Sequence, residues 1–159
     1  MEPAIRKFPF KSMVLAFLAC TSPSHAYVHS PAYLSVGLGL LHVLNLGAGV
    51  TLYKNVSLDG YIGSSFYTET AAAYLSYNHY AGNAVYSLGV GPAESTACGE
   101  GCSQSNGMDA RIRSRFLPDG SKVLGYYGEL GYFLGNGNLF GSNPTHLPHF
   151  SVGLNFFLF

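Results

Sequence analysis

One short segment of the chain carries three alternating arginines, Arg111, Arg113 and Arg115. Side chains two positions apart share one face of an extended strand. Three guanidinium groups on one face repel each other, and the repulsion grows where water is excluded. Such a cluster could act as a gate or as a binding site for a small anion. The alternative, which we favour, is a structural plug.

Carboxylates are needed beside these arginines to compensate their charge. A hairpin closed by residues 117–121 would bring Arg111 and Arg113 opposite Tyr127, Gly125 or Glu129. Two further acids have the strand parity that places them on the same face. The sequence therefore predicts an ion-pair network in a narrow interior. Its members are Asp59, Asp109, Arg111, Arg113, Arg115 and Glu129.

A second chemical candidate is the pair His149 and Ser151, which share one strand face. A serine hydrolase needs a serine, a histidine and an acid. No acid follows Ser151, and Glu129 could replace it only from a neighbouring strand. We therefore predict no enzymatic activity and keep a hydrolase as an alternative.

The remaining histidines are too dispersed along the chain to predict a metal site; they include His42, His79 and His146. The paired glycines lack the third glycine and the following helix of a dinucleotide-binding motif. We predict neither a metal nor a cofactor.

The N-terminus has the three parts of an export signal. Basic residues lie within 6–11, an apolar stretch covers 13–20, and small residues lead to Ala26. The sequence predicts a signal peptide at 1–26 and one mature domain at 27–159, with cleavage after Ala26. An amphipathic or buried first element is the alternative.

Three cysteines occur in the chain, and cleavage would remove Cys20. Cys20 fits the acceptor position of a lipoprotein signal poorly. Exported chains meet an oxidising compartment, so Cys98 and Cys102 are predicted to form a local disulfide.

Composition restricts the class of protein. Only 10% of the 159 residues are charged, well below the share in ordinary globular domains. No apolar stretch is long enough for a transmembrane helix. These features leave a buried all-β core or a membrane barrel. The mature chain would carry five basic and seven acidic residues, too few basic groups to bind nucleic acid.

Apolar residues alternate with others from Tyr33 onward and predict eight strands. The segments are 32–41, 44–54, 56–67, 71–80, 83–91, 107–117, 122–134 and 148–159. Leu34, Val36 and Leu38 share one face of the first. In the fourth segment it is ambiguous which face points outward. Leu75 and Tyr77 lie on one face, whereas Tyr74 and Tyr80 lie on the other, and either pair could form the outer face.

The second face of these strands distinguishes a barrel from a soluble sandwich. In a sandwich that face meets water, whereas here it carries mainly glycine, serine and tyrosine. Small side chains suit the cramped interior of a small barrel. We therefore predict an all-β, eight-stranded antiparallel up-and-down transmembrane barrel.

Connections also alternate in length, as in membrane barrels. Short turns are predicted at 54–55, 81–83 and 117–121, and long loops at 92–106 and 135–147. An even strand number places both ends of the barrel on the short-turn side.

The segment 49–61 and the final strand, 149–159, carry a resemblance to a known group. The pattern resembles the OmpA-like and OmpX-like eight-stranded outer-membrane barrels, over the whole mature chain. One departure concerns Phe157 and Phe159, which share parity with the polar residues. A bulge near Asn155 or a frayed end would restore the phase.

The resemblance implies a protein of the Gram-negative outer membrane with a Sec-type signal. Implied partners are lipid, lipopolysaccharide and the barrel-assembly machinery. We expect a structural or surface-interaction role, with a surface ligand contacted through the two long loops. The alternatives are a narrow channel or small-ligand carrier, and a lipid A-modifying hydrolase, since His149 and Ser151 resemble the pair in lipid A deacylases.

Overall fold

The computed structural model describes residues 32–99, 101–118, 121, 123–137, 139 and 144–158. They form eight strands that join in chain order into a closed antiparallel barrel. The strands are β1 (Ala32–Gly39), β2 (Leu44–Tyr53), β3 (Val56–Ser64), β4 (Thr68–Ala81), β5 (Ala84–Cys98), β6 (Cys102–Phe116), β7 (Leu124–Gly137) and β8 (Thr145–Leu158). The prediction of an all-β, eight-stranded up-and-down barrel is confirmed. The described residues include no helix long and apolar enough to cross a membrane.

The signal peptide predicted at 1–26 lies outside the described residues, and so does the final residue of the last predicted strand.

The two faces of the strands differ sharply in polarity. Leu38, Leu88 and Leu130 point outward and are 59–60% exposed, whereas Asp59 and Arg111 point into the lumen and are 2% exposed. This alternation continues around all eight strands, because successive side chains of a strand point to opposite faces.

The ambiguous fourth strand has a single phase in the structure. Tyr74 is fully buried in the lumen, and Leu75 and Tyr77 point outward. The ring of Tyr74 faces inward and stacks on a lumen arginine, Arg111. Alternation of polarity alone could not have predicted this, since tyrosine suits either face.

The last strand keeps its regular register to its end. Asn155 pairs with Ser35, and Leu158 pairs with Ala32, without a bulge between them. Phe157 therefore points into the lumen, where it is 4% exposed. The bulge considered near Asn155 is absent.

The long loop predicted at 92–106 is wrong. β5 and β6 continue to Cys98 and Cys102, and the turn between them covers only 99–101. At the second predicted loop, 135–147, β7 continues to Gly137 and β8 begins at Thr145. Small inward residues such as Ser95 continue the strand pattern, but the outward Glu94 is polar. The apolar signal of a strand is therefore lost at this end.

Two-residue turns close the opposite end of the barrel. They lie at 54–55 and 82–83, where Lys54 and Gly82 adopt positive φ angles of 40° and 57°. Such angles let a two-residue turn follow the twist of the paired strands. The start of β1 and the end of β8 lie on this short-turn side, as predicted.

Candidate functional site in the barrel lumen

The centre of the lumen holds a buried ion-pair cluster. Arg111 contacts both Asp59 and Glu129, with a nitrogen to oxygen distance of 3.1 Å in each pair. Arg113 Nε donates to the same Glu129 oxygen at 2.6 Å. All four side chains are at most 3% exposed. Charges removed from water this completely require such partners.

Strand pairing explains part of this arrangement. In the β6–β7 ladder Arg113 lies directly opposite Glu129, one of the three partners that the hairpin argument allowed, whereas Arg111 lies opposite Gly131, which was not among them. Asp59 belongs to β3 and reaches Arg111 across the lumen. Gly49 leaves the room for it, because a Cβ atom at this position would collide with the Asp59 carboxylate.

Hydroxyl groups complete the coordination of the Asp59 carboxylate. Tyr33 donates to Asp59 Oδ1 at 2.6 Å, and Ser76 and Ser57 donate to its carboxylate as well. Arg113 Nη1 donates to the Tyr33 hydroxyl at 3.0 Å. Buried hydrogen bonds of this kind are strong when one partner is charged.

Arg115 occupies a separate site nearer the short-turn end. Its Nη2 donates to Asn78 Oδ1 at 2.8 Å and to Ser87 Oγ at 2.9 Å. Its guanidinium lies 4.5 Å from the centroid of the Tyr33 ring. Within the described part of the chain it has no carboxylate in ion-pair range, so neutral oxygens and an aromatic face take that role.

A second polar cluster fills the opposite end of the lumen. Asp109 pairs with His149 Nε2 at 2.9 Å instead of with an arginine. His42 lies near Tyr61 Oη at 2.6 Å and Thr70 Oγ1 at 2.8 Å. Of the six predicted network residues, four therefore form one ion-pair cluster, namely Asp59, Arg111, Arg113 and Glu129. Asp109 and Arg115 have other partners.

His42 lies in the connection 40–43, yet its side chain is buried. Burial, and to a lesser degree the neighbouring His149, lower the pKa of its imidazole to about 4. It is therefore neutral at pH 7 and serves as a hydrogen-bond partner for Tyr61 and Thr70. The cavity between these side chains has a volume of about 10 Å³, room for roughly one water molecule.

The two candidate catalytic side chains have different partners. His149 contacts Asp109, whereas the Ser151 hydroxyl donates to Glu129 Oε1 at 3.5 Å. In a serine hydrolase the histidine would instead accept the hydrogen of the serine hydroxyl. Both side chains are buried, Ser151 at 3% and His149 at 8% exposed. The arrangement fits a packed polar interior.

Several lumen residues of these clusters were not singled out from the sequence. They are Tyr33, Ser57, Tyr61, Thr70, Tyr74, Ser76, Asn78, Ser87 and Ser95. Each has the inward parity of its strand, so parity was the available signal everywhere except in β4, whose phase was ambiguous. Parity identifies the face of a side chain but not its partner across the lumen.

Cys98 and Cys102 form a disulfide across the tip of the β5–β6 hairpin. The bridge joins residues only four positions apart, so it restricts a short loop and contributes about 2 kcal/mol by the loop-entropy estimate.

Removing this bridge with Cys98→Ser and Cys102→Ser is expected to loosen the hairpin tip alone. Amide exchange at 96–104 should rise by up to about 30-fold, which corresponds to the loop-entropy estimate. Amides at 72–76 serve as the control and should not change. Unfolding of the whole barrel in the double variant would contradict this local role.

Among the described residues, no group of three or more His, Cys, Asp or Glu side chains is arranged to hold a metal ion. No protein-family model matches the chain, and no curated protein sequence matches it either. Function must therefore be inferred from the geometry of the barrel and its lumen.

Proposed function

We propose that the chain is a β-barrel of the Gram-negative outer membrane with a structural or surface-interaction role. The supporting observation is the inverted polarity of the barrel. Charged side chains such as Arg113 and Glu129 are 2% exposed inside it, while Leu38 and Leu130 are 60% and 59% exposed outside. Water would favour the opposite distribution, and lipid favours this one.

The height of the outward apolar surface supports the same proposal. On β7 the outward face is apolar from Leu124 to Leu134 and becomes polar at Asn136. Ten residue steps span about 33 Å along a strand. At a tilt of roughly 40° the band is about 25 Å tall, the height typical of outer-membrane barrels.

The filled lumen supports a structural role over conduction. Eight strands enclose just enough space for side chains, and here the ion-pair cluster occupies the centre. Arg111 also stacks on Tyr74, with 3.7 Å from guanidinium carbon to ring centroid. These contacts support a structural plug over an open channel.

The surface for interaction lies beyond the apolar band, on the side opposite the two-residue turns. There the β5–β6 hairpin carries outward polar residues, including Glu94, Gln104 and Asn106, and ends at the disulfide. A polar hairpin closed by a disulfide suits contact with a surface ligand. The end of β7 at Gly137 and the start of β8 at Thr145 lie on the same side. Lipopolysaccharide and the barrel-assembly machinery are the further partners proposed for such a barrel.

Fractionation and gel migration test the proposed location. We expect the protein in the outer-membrane fraction, and we expect unboiled protein to migrate differently from boiled protein, because a closed barrel resists detergent. Boiled protein is the control. A mature chain that is soluble in the periplasm would contradict the proposal.

Planar-bilayer recording distinguishes a plug from a channel. The purified barrel is expected to give no steady conductance, since the lumen is filled by the contacts of Arg113 and Glu129. Arg113→Ala should be recorded beside it, to identify lumen currents. A steady conductance that this variant changes or removes would favour the narrow channel instead.

A further inference from the structure

A shallow groove crosses the outer wall of the barrel over strands β2 to β6. Its floor consists of Ala48, Gly60 and Ala73, which are register neighbours on β2, β3 and β4. The groove has a volume of about 840 Å³. At Gly60 nothing lies within 4 Å of the position that a Cβ atom would take. The wall therefore lacks side-chain bulk at this point.

Larger apolar side chains border this wall groove. Leu46 and Ile62 lie on the side of the groove away from the two-residue turns, and they are partners in the β2–β3 register. Two smaller depressions continue it, of about 330 Å³ toward Ala32 and Leu158 and about 380 Å³ toward Thr96. The result is an elongated apolar surface that a straight alkyl chain could follow.

Two carboxylates lie where the wall groove reaches the polar end of the barrel. Glu94 pairs with Ala71 in the β4–β5 register, and Glu69 pairs with Thr96 two residues further along. Both border the groove or its continuation. Gln104 donates to Glu94 at 2.6 Å. Within the described ranges, neither carboxylate has a cation in ion-pair range.

We propose that the wall groove binds an amphiphile with an alkyl chain and a positively charged amine head. The small-residue floor would take the chain, and Glu69 and Glu94 would take the amine. A phosphate head would be repelled by the same carboxylates. The inference rests on the proposed function, because it places the groove within the lipid-facing band.

Charge also argues against a second copy of the chain as the occupant. A symmetric dimer across this groove would bring Glu69 and Glu94 of one copy toward the same residues of the other. Like charges brought together in a partly desolvated contact are destabilising. An amine head compensates these carboxylates, whereas a second copy adds to their repulsion.

Native mass spectrometry of the barrel in a non-ionic detergent tests the inference. Dodecylamine, dodecanol and dodecyl phosphate are added separately at pH 7, since they share one chain and differ in the charge of the head. We expect the amine to be retained about fivefold better than the phosphate, the effect of weak ion pairs at an exposed site. In the double variant with Glu69→Gln and Glu94→Gln, the amine and the phosphate should be retained about equally.

A matched pair of variants locates the site. Gly60→Leu fills the groove and should abolish retention of all three amphiphiles. Gly128→Leu is the control, because Gly128 also faces outward on β7 with open space at its Cβ position. Equal retention of amine and phosphate, equal loss in both variants, or a dimer that Gly60→Leu dissolves would each overturn the inference.

The two proposals fail in distinguishable ways. A chain that needs no detergent and shows no heat-dependent migration contradicts the membrane barrel itself. A detergent-requiring, heat-modifiable barrel without amine preference contradicts only the assignment of the wall groove.

Discussion

Replacing Glu129 with glutamine is expected to lower the free energy of unfolding by about 3–5 kcal/mol, because it leaves two buried arginines without their shared carboxylate. Arg111 and Arg113 both contact this one side chain, at 3.1 and 2.6 Å. Glutamine keeps the volume and removes the charge. Urea unfolding of the folded barrel in phospholipid vesicles, followed by gel migration, measures the change.

Two comparisons show whether this loss comes from the buried charges. Glu94→Gln removes an exposed carboxylate and should change stability by less than about 0.5 kcal/mol. Combining Glu129→Gln with Arg113→Met should cost less than the sum of the two single changes, since neighbouring groups couple. A loss for Glu129→Gln as small as that for Glu94→Gln would contradict the importance assigned to the ion-pair cluster.

Replacing Leu130 with lysine is expected to lower the free energy of unfolding by about 2–4 kcal/mol when the barrel is embedded in a bilayer. Leu130 lies near the middle of the outward apolar band of β7 and is 59% exposed. In water a lysine at such an exposed position would change stability little. The same vesicle unfolding assay therefore reports directly on contact with lipid.

Thr96→Lys is the matched control for Leu130→Lys. Thr96 lies on β5 beyond the apolar band, next to Glu69 in the register. A lysine there should change stability by at most about 1 kcal/mol, the value near the membrane interface. If both substitutions were equally harmless, the outward surface of β7 would not lie in the hydrocarbon region.

Much of the fold could be predicted because side-chain parity is a local property. Arg111, Arg113 and Arg115 alternate, so they share one face of their strand, and the parity of the other strands identified that face as the lumen. The pairing of Arg113 with Glu129 was one of three that a short hairpin connection allowed, because the register changes with the length of the connection. Residues 117–123 connect these strands in the structure.

The remaining contacts depend on how the barrel closes, which parity does not specify. Asp59 contacts Arg111 across the lumen. Asp109 contacts His149, which lies 40 residues further along the sequence. Such contacts depend on the stagger of all eight strands. The length of the β5–β6 hairpin was also missed, because outward side chains beyond the apolar band need not be apolar.

Tyr33 gives barrel closure an electrostatic consequence. It lies on β1, the strand that pairs with β8 to close the barrel. Its hydroxyl contacts both Asp59 and Arg113, and its ring lies beside Arg115. In an open sheet, with β1 detached, these three charged groups would all lose a partner at once. Joining the first strand to the last and neutralising the interior are thus one event, which makes assembly of this barrel cooperative.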